Sequence, residues 1–475
     1  MRTSSRLLDR RVSAAVVLAA IGASGGGAAS CSSDDDVVLS RQGNEDAAPP
    51  VDASSTMEDA ESDPPTSPFR DAATSDAAPE PVTCTTSGCA LALVTTNGNP
   101  VYQDRTGFCA LLADKTVACW GNNEDAQLGR DPDPITGVSG SAAPSRVPGL
   151  TDIRYLDRSC AIDGAGATWC WGTGPYLQST TRAATTEVAP VKLPIPPASR
   201  VSVVRYDFGG GSADKTYYVG CALVDSGVIC WGNNGMGHLG PLELEATRAT
   251  VYEPRAIPMP SGAPIERLVV GWTAFALRSD GTALSWGANP PLGRVSALFP
   301  DPYPRPIALA GVSQIDAVGE NACAVVQGIG HCWGANPNWF RLYGENNPLK
   351  FAIPAPILTP EPIVDIAAHS SGSAISQSPQ PPTGRGCAVG VSGDVYCWGA
   401  NESGQVGDGT RDYAVDPVKV VGLPAHASRV ALTAQTSCAL LVDGQVYCWG
   451  YNKWGQLGAG EMKAPSPVPR KVLLP

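Results

Sequence analysis

Fifteen cysteines, four histidines and two short motif matches are this chain's candidates for reactivity. Fourteen of the cysteines fall into close pairs: Cys84 with Cys89, Cys109 with Cys119, Cys160 with Cys170, Cys221 with Cys230, Cys323 with Cys332, Cys387 with Cys397, and Cys438 with Cys448. Cys31 is left alone. Two thiols brought together can be oxidised to a disulfide, can stay reduced as small apolar fillers, or can bind zinc. Zinc is disfavoured because no Cys-x-x-Cys and no nearby His supplies tetrahedral spacing, so no metal site is expected.

The other signals are weaker. Gly235-Met-Gly237-His-Leu-Gly240 matches the dinucleotide fingerprint but no helical pattern follows it. Ser212-Ala-Asp-Lys215 matches S-x-x-K inside a Gly-rich insertion, without its companion motifs. His238, His331, His369 and His426 have no nucleophile partner by position, and no G-x-S-x-G occurs. No catalytic residue and no cofactor is assigned.

The segments that carry these residues repeat. Trp-Gly recurs at Trp120, Trp171, Trp231, Trp286, Trp333, Trp398 and Trp449, giving seven copies. Each copy reads as four short strands. Strand A is an apolar run such as Val430-Ala-Leu, B starts at the first Cys, C ends at Trp-Gly, and D is a Pro/Val segment such as Pro417-Val-Lys-Val. Continuously apolar B strands such as Ala439-Leu-Leu-Val442 suit sheets covered on both faces. The expected fold is all-β, a seven-bladed propeller of four-stranded antiparallel blades.

Loop parity joins the pairs to this frame. With nine residues between two cysteines, they are directly opposed across a three-residue hairpin whose last residue favours Gly. That place holds Gly166, Gly281, Gly393 and Gly444, with Lys115 the exception. With eight between, the loop is two residues, Asp225-Ser226 or Gln327-Gly328. Opposed positions lie within disulfide range. Blade 4 carries Phe275 and Ser285 instead, both cysteines absent together. Disulfides imply an oxidising compartment.

The motif Cys438-ALLVDGQVY-Cys448-Trp-Gly followed by Asn452-KWGQLG resembles the repeat of the regulator-of-chromosome-condensation (RCC1) propeller family, in its bacterial Cys-rich form. The likeness covers residue 98 to the C-terminus. It implies the fold, not a function. The family's best-known member exchanges nucleotide on a small nuclear GTPase, and bacterial relatives include a secreted inhibitor of β-lactamases. No exchange residue maps onto this sequence.

Residues 1–30 read as an export signal. Arg2, Arg6, Arg10 and Arg11 precede a short apolar run, Val12 to Ile21, and small residues lead to Cys31. A run of ten residues is too short to span a bilayer as a helix. The segment resembles a bacterial lipoprotein box, which implies lipidation of Cys31, although Ala28 stands where Leu is usual. Residues 31–83 are Asp-, Ala-, Pro- and Ser-rich and are expected to be a disordered tether. The propeller is assigned to 84–475, its ring closed by the C-terminal segment 464–475, expected to lend the outer strand to blade 1. Most of the net charge of −12 falls on the tether, so the domain is near neutral and lacks the basic stripe that nucleic acid requires.

In such blades the A–B and C–D connections emerge on one face. The long insertions 208–220, 369–386, 130–143, 173–188 and 335–351 are all of these kinds, which marks that face for a partner. Trp339, Phe340 and Tyr343, with Tyr217 and Tyr218, are the candidate anchors. The expected function is an extracytoplasmic, monomeric binding or scaffold propeller that engages a protein or glycan, touching membrane only through lipid. The alternatives are a polysaccharide-acting envelope enzyme, which needs acidic residues converging on the axis, and an exchange factor by family analogy.

Overall fold

The computed structural model describes residues 77–475, except 87, 97–105, 132–139, 180–183, 208–215, 243–250, 320, 335–351 and 370–383. The export signal, Cys31, most of the tether, Trp339, Phe340, Tyr343 and the S-x-x-K segment lie outside the described residues.

Seven four-stranded antiparallel sheets follow one another, each in the order A-B-C-D with no strand crossing over. The inner A strands are Ala90–Thr95, Ile153–Asp157, Ala198–Asp207, Ile265–Val270, Val312–Val318, Ile363–His369 and Ala427–Leu432. The B strands of blades 1, 4, 6 and 7 are buried at every position, as a sheet covered on both faces requires. Core clusters straddle consecutive blades, so each seam between two sheets is a hydrophobic core.

The hairpins behave as loop parity requires. In blades 1, 2, 4, 6 and 7 the third loop residue is left-handed, and Lys115 adopts φ 63° beside the glycines' 77–83°. Gln327 and Gly328 are both left-handed, the two-residue turn that matches strand twist.

The cysteine pairs follow from this register. Cys109 stands opposite Cys119, Cys160 opposite Cys170, and Cys221 opposite Cys230. Cys323 stands opposite Cys332, Cys387 opposite Cys397, and Cys438 opposite Cys448. In each of these six pairs the Cα atoms are 4.1 Å apart and the sulfurs are bonded. Cys84 and Cys89 form the seventh disulfide, with 5.6 Å between Cα atoms.

Two boundaries differ from expectation. The C-terminal strand Ser466–Lys471 pairs with Val446–Gly450 of its own blade, with Tyr447 opposite Lys471, and lends nothing to blade 1. Blade 1 is complete because Ala90–Thr95, ahead of the recognisable motif, supplies its inner strand and Gly140–Arg146 its outer one. The packed domain also begins before residue 84. Thr83 N–H donates to Val442 O at 2.7 Å, Ser428 Oγ donates to Glu80 O at 2.6 Å, and Val82 packs on the core between blades 7 and 1. Residues 77–86 with 88 and 89 therefore form a strap over the B–C turn of blade 7, held by these hydrogen bonds, the Cys84–Cys89 disulfide and the partly buried Val82.

The ring closes by packing and hydrogen bonds. The Trp120 indole N–H donates to Gln456 O of blade 7 at 2.9 Å, and Ala90 N–H to Gly444 O at 2.9 Å. The first of these bonds repeats around the ring: Trp171 donates to Gln127, Trp231 to Pro175, Trp286 to His238, Trp333 to Pro291 and Trp449 to Gln405. Each indole enters beneath the C–D loop of the preceding blade. The repeat glycines make room for it, since a Cβ at Gly407 would fall 2.5 Å from the Trp449 indole nitrogen.

Candidate functional site: the loop face and the axial channel

The strand order puts every A–B and C–D connection at one end of the sheets, so all five insertions share a face. The opposite face carries short turns and, over blade 7, the strap. Of the predicted anchors within the described residues, neither is an exposed loop residue. Tyr217 and Tyr218 belong to the strand Thr216–Val224, which begins earlier than the sequence suggests. Tyr217 is 3% exposed and its ring lies against Gly235. Tyr218 is half-buried beneath Arg205, whose guanidinium sits 5.6 Å above the ring. An extended strand sends alternate side chains into opposite seams, and both tyrosines are taken up in this way.

Three exposed apolar residues of this face lie together elsewhere, in the C–D loop of blade 4. Val295 is 80% exposed, Phe299 79% and Leu298 44%. Spanning 288–300, this loop is no longer than the C–D loops of blades 6 and 7, so insertion length gives no signal of it. It is held from below. Arg294 is buried, pairs with Asp301 at 2.7 Å and donates to Ser285 Oγ at 3.2 Å. Ser285 stands where the other blades have their second cysteine, so a polar network replaces the bridge. The adjoining loop of blade 3 packs edge-on, and a Cβ at Gly237 would come within 3.3 Å of Pro300 and Pro302. The G-x-G-x-x-G match is this loop, holding the Trp286 indole rather than a nucleotide.

The axis holds a channel of about 520 Å³ lined by the inner strands of all seven blades. Every inner strand has an irregularity in register at its start. Aligned on it, the strands present two tiers. Nearest the short-turn face stand Tyr155, Arg200, Arg267, Gln314, Asp365 and Arg429; two residues deeper stand Asp157, Ser202 and Asp316. Blade 1 contributes Ala92 and Val94 to the same tiers. At the loop-face end, Arg158 of blade 2 reaches across the axis. It donates to Val203 O, Val270 O and Ala317 O of blades 3, 4 and 5 at 3.0–3.3 Å.

Acidic residues thus converge on the axis, the feature a polysaccharide hydrolase needs, but they serve as struts. Asp316 accepts the Ala368 N–H at 3.1 Å and Asp365 the Val430 N–H at 3.0 Å, each from the next blade. Burial pushes the Asp157 and Asp365 carboxyls up, against the pull of Arg158 and Arg429 respectively. Asp157 is hydrogen-bonded to Ser202, and its Oδ2 has no hydrogen-bond partner. The histidines are no nearer to chemistry. His238 is fully buried, bonds Gly271 O at 3.1 Å, and burial lowers its pKa to about 4. Among the described residues no group of three or more His, Cys, Asp or Glu could hold a metal.

A model of the regulator of chromosome condensation (RCC1) repeat matches residues 392–440 and 443–475, and a second RCC1-repeat model matches 428–456. The chain is 34% identical over 86 residues to the ultraviolet-B receptor UVR8 of Arabidopsis thaliana, across 18% of this chain and 19% of that one. It is 25% identical over 249 residues to the human E3 ubiquitin-protein ligase HERC2, across 48% of this chain and 5% of that one. The matches therefore span less than a fifth of these relatives' own length. Among solved structures, Prp20p of Saccharomyces cerevisiae superposes with a TM-score of 0.56 at 21% identity, over 75% of this chain and 85% of that one. That likeness is one of fold.

Proposed function

Because the chain is an RCC1-like seven-bladed β-propeller, we propose that it is a non-catalytic binding or scaffold protein that works outside the cytoplasm. In this reading it is exported, held at the cell envelope by lipid on Cys31 or secreted, and stays monomeric. It presents its loop face to a protein or glycan partner. One observation carries the reading: Val295, Leu298 and Phe299 stand out to solvent on the face where the insertions gather. The disulfides support an oxidising compartment, where cytosolic GTPases are not met, which weighs against nucleotide exchange. Prp20p has been studied for its binding to Gsp1p and histones, so this propeller frame is used elsewhere to hold proteins.

The test is capture of a partner from envelope extract. Truncating an anchor aromatic typically costs 2 kcal/mol or more, about 30-fold in affinity. Phe299→Ala with Val295→Ser, and separately Trp339→Ala with Tyr343→Ala, should abolish capture with the melting temperature unchanged. Asp443→Ala and Gln445→Ala, on the short-turn face, should leave it within a few-fold of wild type. Equal losses from both faces would reject the assignment.

A further inference from the structure

The axial channel opens away from the loop face and plays no part in the binding just proposed. Its outer tier and rim are reachable from solvent on the short-turn side: Leu91 is 43% exposed and Arg429 retains 42% of its side-chain surface. Its deep end is crossed by Arg158. We propose that this channel is a second site, for a small soluble anion whose carboxylate or phosphate head is held by Arg200, Arg267 and Arg429.

The volume of about 520 Å³ falls within the range of small-molecule sites, roughly 300–1,000 Å³. Charge selects the ligand. Five arginines line the channel against four acidic residues, and burial holds two of those acids, Asp157 and Asp365, toward their neutral forms. The positive excess is concentrated at the mouth, where the three arginines arrive from blades 3, 4 and 7 and so surround the axis. Each keeps N–H groups beyond its present bonds. Arg200 spends Nε on Glu266 O and Nη1 on Ser199 O, Arg267 spends Nη1 on Gln314, and Arg429 meets Asp365 only at 3.6 Å. Guanidinium groups held this way match a pair of oxygens on a carboxylate or a phosphate.

Below them, about 7 Å deeper by strand rise, lies the unpartnered Oδ2 of Asp157. On the blade 1 wall, Leu91, Ala92 and Val94 offer apolar surface to the ligand body. A cation is disfavoured, since Arg158 sits beside the carboxylate deep enough to receive it.

The experiment is calorimetric titration of the full, oxidised chain with citrate and with inorganic phosphate. At least one should bind at submillimolar concentration. Arg200→Gln with Arg267→Gln should weaken it at least about tenfold, the loss of roughly one charge-assisted contact. Arg305→Gln, on the outer strand of blade 4, should leave it unchanged. If the double variant melts early, Arg429→Gln replaces it, because that side chain retains 42% of its surface and meets Asp365 only at 3.6 Å. Absence of binding by both anions overturns the proposal, as does binding that survives these variants. Capture of the chain by phosphatidylglycerol vesicles with no response to either soluble anion also overturns it, because it assigns the arginines to a lipid surface.

Discussion

Arg385 shows how far this fold relies on single buried polar side chains. It stands at the start of blade 6's second strand, 1% exposed, and its guanidinium has five acceptors at 2.5–3.2 Å: Thr433 O, Ala434 O, Thr436 O, Gln405 O and Ser437 Oγ. Four are backbone carbonyls, and all lie on the C–D loop of blade 6 or on blade 7. No carboxylate is among these partners, and desolvation lowers its pKa to about 9. Gln405 O keeps the Trp449 indole and Thr436 O keeps the Thr433 N–H, but Arg385→Met removes this donor from the Thr433 and Ala434 carbonyls and should cost roughly 3 kcal/mol, read as a lower urea midpoint. His238 gives a pH dependence of determinate sign. Its folded pKa, about 4, lies below the unfolded value of 6.5, so its contribution is present above pH 6.5 and is lost as pH falls toward 4. Asp157 and Asp365, shifted upward, act in the opposite sense over the acid range. Replacing His238 with Gln should flatten the fall in stability between pH 6.5 and 4, measured by urea titration at each pH.

Two elements decide how the ring is held shut. The strap crosses the blade 7 turn, and the C-terminal segment completes blade 7 and buries Val472 beside Trp120. Removing residues 464–475 should destabilise the domain, and the site of damage identifies the topology. Hydrogen exchange should accelerate at Tyr447 and Cys448, whose strand loses its partner, while Ala118 and Cys119 of blade 1 stay paired with Arg146 and Ser145. Acceleration confined to blade 1 would restore the closure that the sequence suggested. Blade 4 shows a different solution to a common need. Phe275 packs edge-on against Trp333 at 6.0 Å, and the Arg294–Asp301 pair ties the outer strand to Ser285, doing without a disulfide.

The two faces of the closed ring are inequivalent. The insertions and the exposed Val295 and Phe299 lie on one, while the strap and the mouth of the axial channel lie on the other. The disulfides are distributed around the ring. Cys160–Cys170, Cys221–Cys230, Cys323–Cys332 and Cys387–Cys397 each close a hairpin of their own blade, as do the bridges of blades 1 and 7. Among the described residues none joins two blades. A closed loop of about ten residues contributes roughly 2.5–3 kcal/mol in the chain-entropy model, and the gains do not add fully for local hairpins. Reduction should therefore lower the melting temperature in graded steps, without releasing blades from one another. Peptide mapping without reductant should recover only the seven intra-segment links. Free thiols or inter-blade links would contradict the register.

Blade count, strand order, disulfide register and the gathering of all the insertions on one face were legible in the chain before any coordinates. These are local properties: they follow from a repeat, a hairpin length and the period of two along a strand. Other features required the folded ring. Ala90–Thr95 precedes the motif and was legible only as the missing partner of Gly107–Leu112. Tyr217 reads as a loop aromatic until the strand is seen to extend to Thr216. Val295 and Phe299 gave no signal, because an apolar residue in a loop of ordinary length is as often covered as exposed. The axial tiers draw on seven separate segments, from Leu91 near one end of the domain to Leu432 near the other. They are aligned by an irregularity that no single segment announces. Exposure, convergence and charge balance are properties of the closed ring, and they exist only once distant inner strands share an axis.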